Sequence, residues 1–195
     1  MGKKEQFMPS NNIMAPPQAP EPMKYFVAIL FRTPAAFDAG KQALIGIWGT
    51  LDFEGKDHEF DITNYYEPEM GTPLYRRLVA FERLQPPTEL VDMKLRCNAI
   101  EDALANNGNR IVNLDAGYLD HNKVVLASAK GAGQKIYLDK GIYADLVGRY
   151  KSGRYQPFDW TFPDFTDGRY DQELLAIRQM YLRQRREWRH SQGTA

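Results

Sequence analysis

Cysteine is nearly absent from this sequence: Cys97 is the single one among 195 residues. An intrachain disulfide is therefore excluded, and a cysteine-based zinc cage is disfavoured. Net charge is absent too, with 25 Lys and Arg against 25 Asp and Glu. A general nucleic-acid coat protein would be basic overall, so nucleic acid is a disfavoured partner. No stretch approaches the roughly 20 apolar residues of a membrane helix. Lys3 and Lys4 are not followed by the apolar run of an export signal, so the expected location is cytoplasmic. The histidines, His58, His121 and His190, are scattered without metal-ligand spacing. Ser128 lacks the Gly-x-Ser-x-Gly elbow of a serine hydrolase.

What remains is an ordinary globular balance, 43% hydrophobic and 26% charged. Five of the twelve prolines fall within residues 1–22. That segment has little to bury and reads as a disordered leader. Residues 23–190 read as a single domain, and 191–195 as a disordered tail. Charge is segregated within this frame. Residues 52–69 hold seven carboxylates against Lys56, and residues 178–190 hold five arginines against Glu187.

The apolar run Tyr25–Phe31 predicts a central strand buried on both faces. Thr33-Pro34 then predicts a capped helix over Pro34–Trp48, ended by Gly49. A short strand is expected near Glu59–Ile62, a loop over 63–73, and a long strand over Leu74–Leu84. Thr88 is the expected cap of a helix whose stripe is Leu90, Met93, Cys97, Ile100 and Leu104. Arg110–Leu114 reads as a strand. Hairpin strands follow at Lys123–Ser128, Lys135–Leu138, Ile142–Arg149 and Tyr155–Phe158. A last helix spans roughly Tyr170–Trp188. The order β-α-β-β-α-β predicts an α+β fold: a ferredoxin-like split βαβ first half, extended by antiparallel hairpins and a C-terminal helix.

Four segments carry a family likeness: Asp61–Gly71, Val112–Leu119, Lys123–Ser128 and Ile136–Ala144. Trp160–Phe165 adds a fifth. Together they resemble the bacterial domain-of-unknown-function family 4416, from about Lys24 to Leu182. The resemblance implies no catalytic residues. Some family members carry a GTP-binding label, which makes nucleotide binding an expectation to test against these residues.

A phosphate-cradling loop would read GxxxxGK[ST]. Here the stretch after the first strand has Ala35 for the first glycine and Gln42 for the hydroxyl. Gly40-Lys41 also falls inside the predicted helix, so coincidence is the better reading. Lys130-Gly131-Ala132-Gly133-Gln134-Lys135 is glycine-rich and basic. It reads as an anion nest or as a flexible hairpin loop.

The 61–71 loop is the foremost candidate for chemistry. Asp61, Glu67 and Glu69 offer hard oxygen ligands for Mg²⁺ or Mn²⁺. Tyr65 and Tyr66 offer stacking faces or phenol hydroxyls. The bland alternative is a solvated acidic loop with packed tyrosines. Asp115 and Tyr118 form a second polar group at a strand end, and Lys123, Lys130 and Lys140 supply cations. The expected function is binding of a small phosphorylated ligand or nucleotide with a divalent metal. The alternative is an RNA- or protein-binding adaptor module without catalysis. Whether the chain is an enzyme, and its oligomeric state, stay open.

Overall fold

The computed structural model describes residues 16–193. Its elements are β1 (Lys24–Phe31), α1 (Pro34–Trp48), β2 (Leu51–Glu54), β3 (His58–Glu59), α2 (Glu67–Met70) and β4 (Tyr75–Phe81). Then come α3 (Leu90–Leu104), β5 (Val112–Leu119), β6 (Lys123–Ser128), β7 (Ile136–Asp139), β8 (Ile142–Lys151) and β9 (Arg154–Pro157). The chain closes with α4 (Pro163–Thr166) and α5 (Asp171–Gly193). Most of the leader segment, residues 1–15, lies outside the described residues.

Among the described residues nine strands form one antiparallel sheet, in the order β2-β4-β1-β5-β6-β8-β7, with β3 beside β4 and β9 beside β8. The first four positions have the order of a ferredoxin-like split βαβ, with α1 and α3 as crossovers. The hairpins of the second half extend the same sheet through β6. The expected α+β architecture is the observed one.

β1 is central because its eight residues are all buried. Side chains alternate across a strand, so one run supplies two cores. Tyr25, Val27, Ile29 and Phe31 pack under α1 and α3 with Leu44, Met93 and Cys97. Phe26 and Ala28 pack under α5 with Leu174, Ile177 and Tyr181. The molecule thus has three layers, helix–sheet–helix. α1 starts as its sequence dictates: Thr33 Oγ1 accepts the Ala36 N–H at 3.2 Å, and Pro34 needs no donor of its own.

Several expectations shift. The second strand is Leu51–Glu54, which pairs with β4 at the sheet edge. Only His58–Glu59 of the later stretch pairs there, and Phe60 leaves the sheet to pack with Leu30, Met70 and Leu74. Thr88 does not cap α3. Pro87–Glu89 forms a short 3₁₀ turn that leads into Leu90 without a side-chain cap. β5 runs through Leu119 rather than ending at Leu114. Val147 is an extra residue opposite the Val124–Val125 step, a bulge that breaks the alternation of faces along β8. α5 continues to Gly193.

The terminal arginines are largely tied down within the fold. Arg185 and Arg189 each pair with Glu21 at 2.5 Å. Arg178 lies 3.5 Å over the Tyr150 ring. The acidic stretch also meets α5: Asp52 accepts from Gln184 and from the buried Lys24. His58 and Glu173 join β3 to α5 at 2.9 Å. No helix among the described residues is long and apolar enough to cross a membrane.

Candidate functional site

A fork in the sheet creates the site. β5 and β6 pair from Leu119 with Val124 to Gly117 with Leu126, and no further. Beyond Gly117, β5 stays with β1 as far as Val112, while β6 stays with β8 as far as Ser128. The two strands diverge and leave a cleft of about 540 Å³ between them.

A fork exposes backbone groups that a continuous sheet would pair, and buried ones must find partners. At Leu114 the partners come from α3. Lys94 Nζ donates to the Leu114 carbonyl at 3.0 Å, and Glu101 Oε1 accepts its N–H at 2.7 Å. Lys94 and Glu101 are seven residues apart, hence on one helical face, and both are buried. Burial pushes the Glu101 carboxyl above its usual range, against the pull of Lys94 and Arg110.

The other walls come from four places. Phe60, Thr63, Tyr65 and Tyr66 descend from the segment over residues 60–66. Arg76 of β4 and Asn113 and Asp115 of β5 form the floor beside Asp164. Arg76 Nη2 donates to Asp115 at 3.0 Å, and its Nη1 donates to Asp164. Burial disfavours the charged guanidinium, but Asp164 and Asp115 outweigh this and raise its pKa. The 160–164 segment is fixed by Trp160 Nε1 and Thr161 Oγ1, which donate to the Leu146 and Val147 carbonyls at 2.9 and 2.7 Å. These are carbonyls in the gap that β7 and β9 leave along β8.

The rim is built differently. Lys130 Nζ lies 4.8 Å from the Tyr65 ring centroid, and Lys135 Nζ lies 5.8 Å from that of Phe162. Tyr65 is 62% exposed and Phe162 46%. Lys135 also donates to Ser128 Oγ at 3.0 Å and stands 3.7 Å from Asp145. Among the described residues no carboxylate pairs with Lys130. The glycine-rich segment between these lysines lies against Tyr143. A Cβ on Gly131 would come within 2.5 Å of that ring.

Of the residues singled out from sequence, Tyr65, Tyr66, Asp115 and Lys130 line this cleft. Tyr66 is half-buried, and burial followed by Asp115 pushes its phenol up to about 12. The remaining candidates lie elsewhere. Asp115 and Tyr118 do not form one group: three positions apart on β5, they face opposite sides of the sheet, and Tyr118 packs on Tyr25. Lys123 pairs with Asp120 at the β5–β6 hairpin. Lys140 sits in the β7–β8 turn with φ of 50°.

The three acids do not converge. Asp61 pairs with Arg169 at 3.2 Å, Glu69 with Arg110 at 2.8 Å, and Glu67 is exposed at the start of α2. The Arg110 hydrogen bonds hold the Glu69 carboxyl below its usual range. Among the described residues no three His, Cys, Asp or Glu side chains are grouped to hold a metal ion. The Gly40-Lys41 pair lies within α1, where Lys41 pairs with Asp38 and Glu54. Cys97 is buried in the core under α3, and burial pushes its thiol up to about 12.

Sequence reasoning missed Arg76, Lys94, Glu101, Arg110, Asn113 and Asp164. Signals existed for some. Lys94 and Glu101 lie at seven-residue spacing beside an apolar stripe. Asn113 and Asp115 alternate with apolar residues in a strand that β1 covers. Arg76 and Asp164 are distant in sequence and meet only through the fold.

No curated protein and no solved structure matches the chain. The model of the family described as Domain of unknown function (DUF4416) matches residues 21–181, nearly the whole described body. That span takes in both arms of the forked sheet and every wall of the cleft, and the chain belongs to this family.

Proposed function

We propose that the cleft binds a small phosphorylated ligand, with the phosphate at the rim. The observation that carries this reading is the rim pair of Lys130 and Lys135, each beside an exposed aromatic ring. A dianion gains most from cations not already neutralised, and Lys130 has no carboxylate partner among the described residues. Tyr65 and Phe162 offer faces for a flat group such as a base. The expected divalent metal enters this reading only as a companion of the ligand, because Asp61 and Glu69 are committed to arginines.

The test is thermal unfolding with millimolar ribose 5-phosphate, pyrophosphate and nucleoside triphosphates, with and without Mg²⁺. A ligand at a hundred times its Kd adds about 2.7 kcal/mol. A shift with at least one of them supports the reading, and none with any contradicts it.

One observation favours the adaptor reading. β7 is an edge strand whose Ile136 and Tyr137 are 66% and 57% exposed. Such an edge accepts an extended peptide as an added strand.

A further inference from the structure

One guanidinium at the floor of the cleft serves two carboxylates. Arg76 Nη1 donates to Asp164, and its Nη2 donates to Asp115 at 3.0 Å. The three side chains together therefore carry one negative charge in excess. Arg76 and Asp164 are closed off, their side chains 5% and 1% exposed, but the side chain of Asp115 is 27% exposed and lines the cleft. The excess charge meets the cleft at Asp115. Its Oδ2 accepts from Arg76 and from Asn113 Nδ2 at 3.1 Å, while its Oδ1 has no hydrogen bond among the described residues. The other acids of the lining have cations of their own. Lys94 and Arg110 stand beside Glu101, and Lys135 beside Asp145.

From this we infer that the phosphorylated ligand also carries an amino group, which donates to Asp115 Oδ1 while the phosphate stays at the rim. The inference rests on the reading of the cleft as a phosphate site. An ammonium has only donors and the opposite charge, so it suits an open carboxylate oxygen on both counts. A hydroxyl can donate there but leaves the charge unbalanced. A second phosphate or a carboxylate is repelled. A bare divalent cation would meet the Arg76 guanidinium 3.0 Å from the carboxylate it needs. The two charges of a phosphorylated amine match the cleft from end to end. Lys130 waits at the mouth without a carboxylate partner among the described residues, and Asp115 lies within.

The test sets amine against hydroxyl on one scaffold. Glucosamine 6-phosphate is titrated against glucose 6-phosphate, and phosphoethanolamine against 2-hydroxyethyl phosphate, so that two reaches are sampled. Carboxyl ¹³C spectra of the wild type follow Asp115. A hydrogen bond between charged groups is worth about tenfold in affinity. At least one amine is expected to bind about tenfold tighter than its hydroxyl partner, and to move the Asp115 carboxyl resonance where that partner does not. Asp115→Asn keeps the shape and an acceptor for Arg76, and it should erase the difference. Lys130→Met should weaken all four esters and keep it.

Equal affinities within both pairs, an Asp115 resonance that ignores the amine, or a preference that survives in Asp115→Asn would overturn the inference and leave the phosphate site standing. No binding of any of the four esters at millimolar concentration would remove both. The affinities and spectra of the wild type decide the matter even where the Asp115 variant does not fold.

Discussion

Glu101 accepts the backbone N–H of Leu114 at 2.7 Å, across the gap that β6 leaves when it turns away from β5. A helix side chain thereby does the work of a missing strand. Lys94 supplies the complementary bond to the carbonyl of the same residue. Together these two side chains satisfy the Leu114 backbone groups that the fork leaves without a strand partner.

Glu101→Leu is expected to destabilise the protein by about 3 kcal/mol. It strands a buried N–H and leaves Lys94 without its anion, and both losses are expensive away from water. Urea unfolding of the variant checks this. A change below about 0.5 kcal/mol, the size of an ordinary surface substitution, would mean that the fork is held open by something else.

Val27→Asp is expected to abolish folding. Val27 is fully buried in the middle of β1, between β4 and β5, and nothing there can pair with a carboxylate. An unpaired buried charge costs several kcal/mol, a large part of any domain's stability. A soluble Val27→Asp protein with a cooperative melt would remove β1 from the core.

Acid should weaken the fold partly through Asp120. Burial favours its neutral form, but Lys123 and the N–H groups of Asn122 and Lys123 hold its pKa below the ordinary 3.8. A depressed carboxyl stabilises fully above its unfolded value and loses that contribution as pH falls through the folded one. The loss therefore falls below about pH 4. Asp120→Asn should show a smaller drop in urea midpoint between pH 5 and pH 3 than the wild type. Parallel curves would show that the hairpin does not depend on this charge.

The leader is expected to end sooner than its prolines suggest. Trimming through Gln18 should leave the melting temperature unchanged. Trimming through Pro22 removes Glu21, which pairs with Arg185 and Arg189, and a buried proline. That longer cut should lower the melting temperature by a few degrees, the equivalent of about 1 kcal/mol. Identical melts of the two trimmed chains would mean that these ion pairs contribute nothing.

The fold was largely legible because its main signals are local. β1 announces itself as an unbroken apolar run, and Thr33-Pro34 and Gly49 bound α1 within the sequence that forms it. β2 was not legible, since Leu51–Glu54 is a short edge strand whose side chains are only partly covered. The site was legible in outline only. Tyr65, Tyr66, Asp115 and Lys130 stand out as unusual residues in unusual places. The pairings that decide what an acid can do are non-local. Glu69 meets Arg110 and Asp61 meets Arg169 across 41 and 108 residues, and no spacing rule reaches that far.

Gly131→Ala should separate the rim from the fold. The new Cβ meets the end of the Tyr143 ring within 2.5 Å, so that the ring and the lysine-bearing segment must move apart. Affinity for ribose 5-phosphate should fall severalfold, while the ligand-free melting temperature moves by no more than a few degrees. Unchanged affinity would show that the rim segment plays no part in binding.

The most direct test of the phosphate site is the thermal shift that ribose 5-phosphate gives to the wild type and to a Lys130→Met, Lys135→Met double variant. The wild type should be stabilised, by about 2.7 kcal/mol at a hundredfold excess over Kd. The double variant should melt close to the ligand-free wild type and show no shift. A wild type that does not respond, or a double variant that keeps the full shift, would contradict binding of phosphate at this rim.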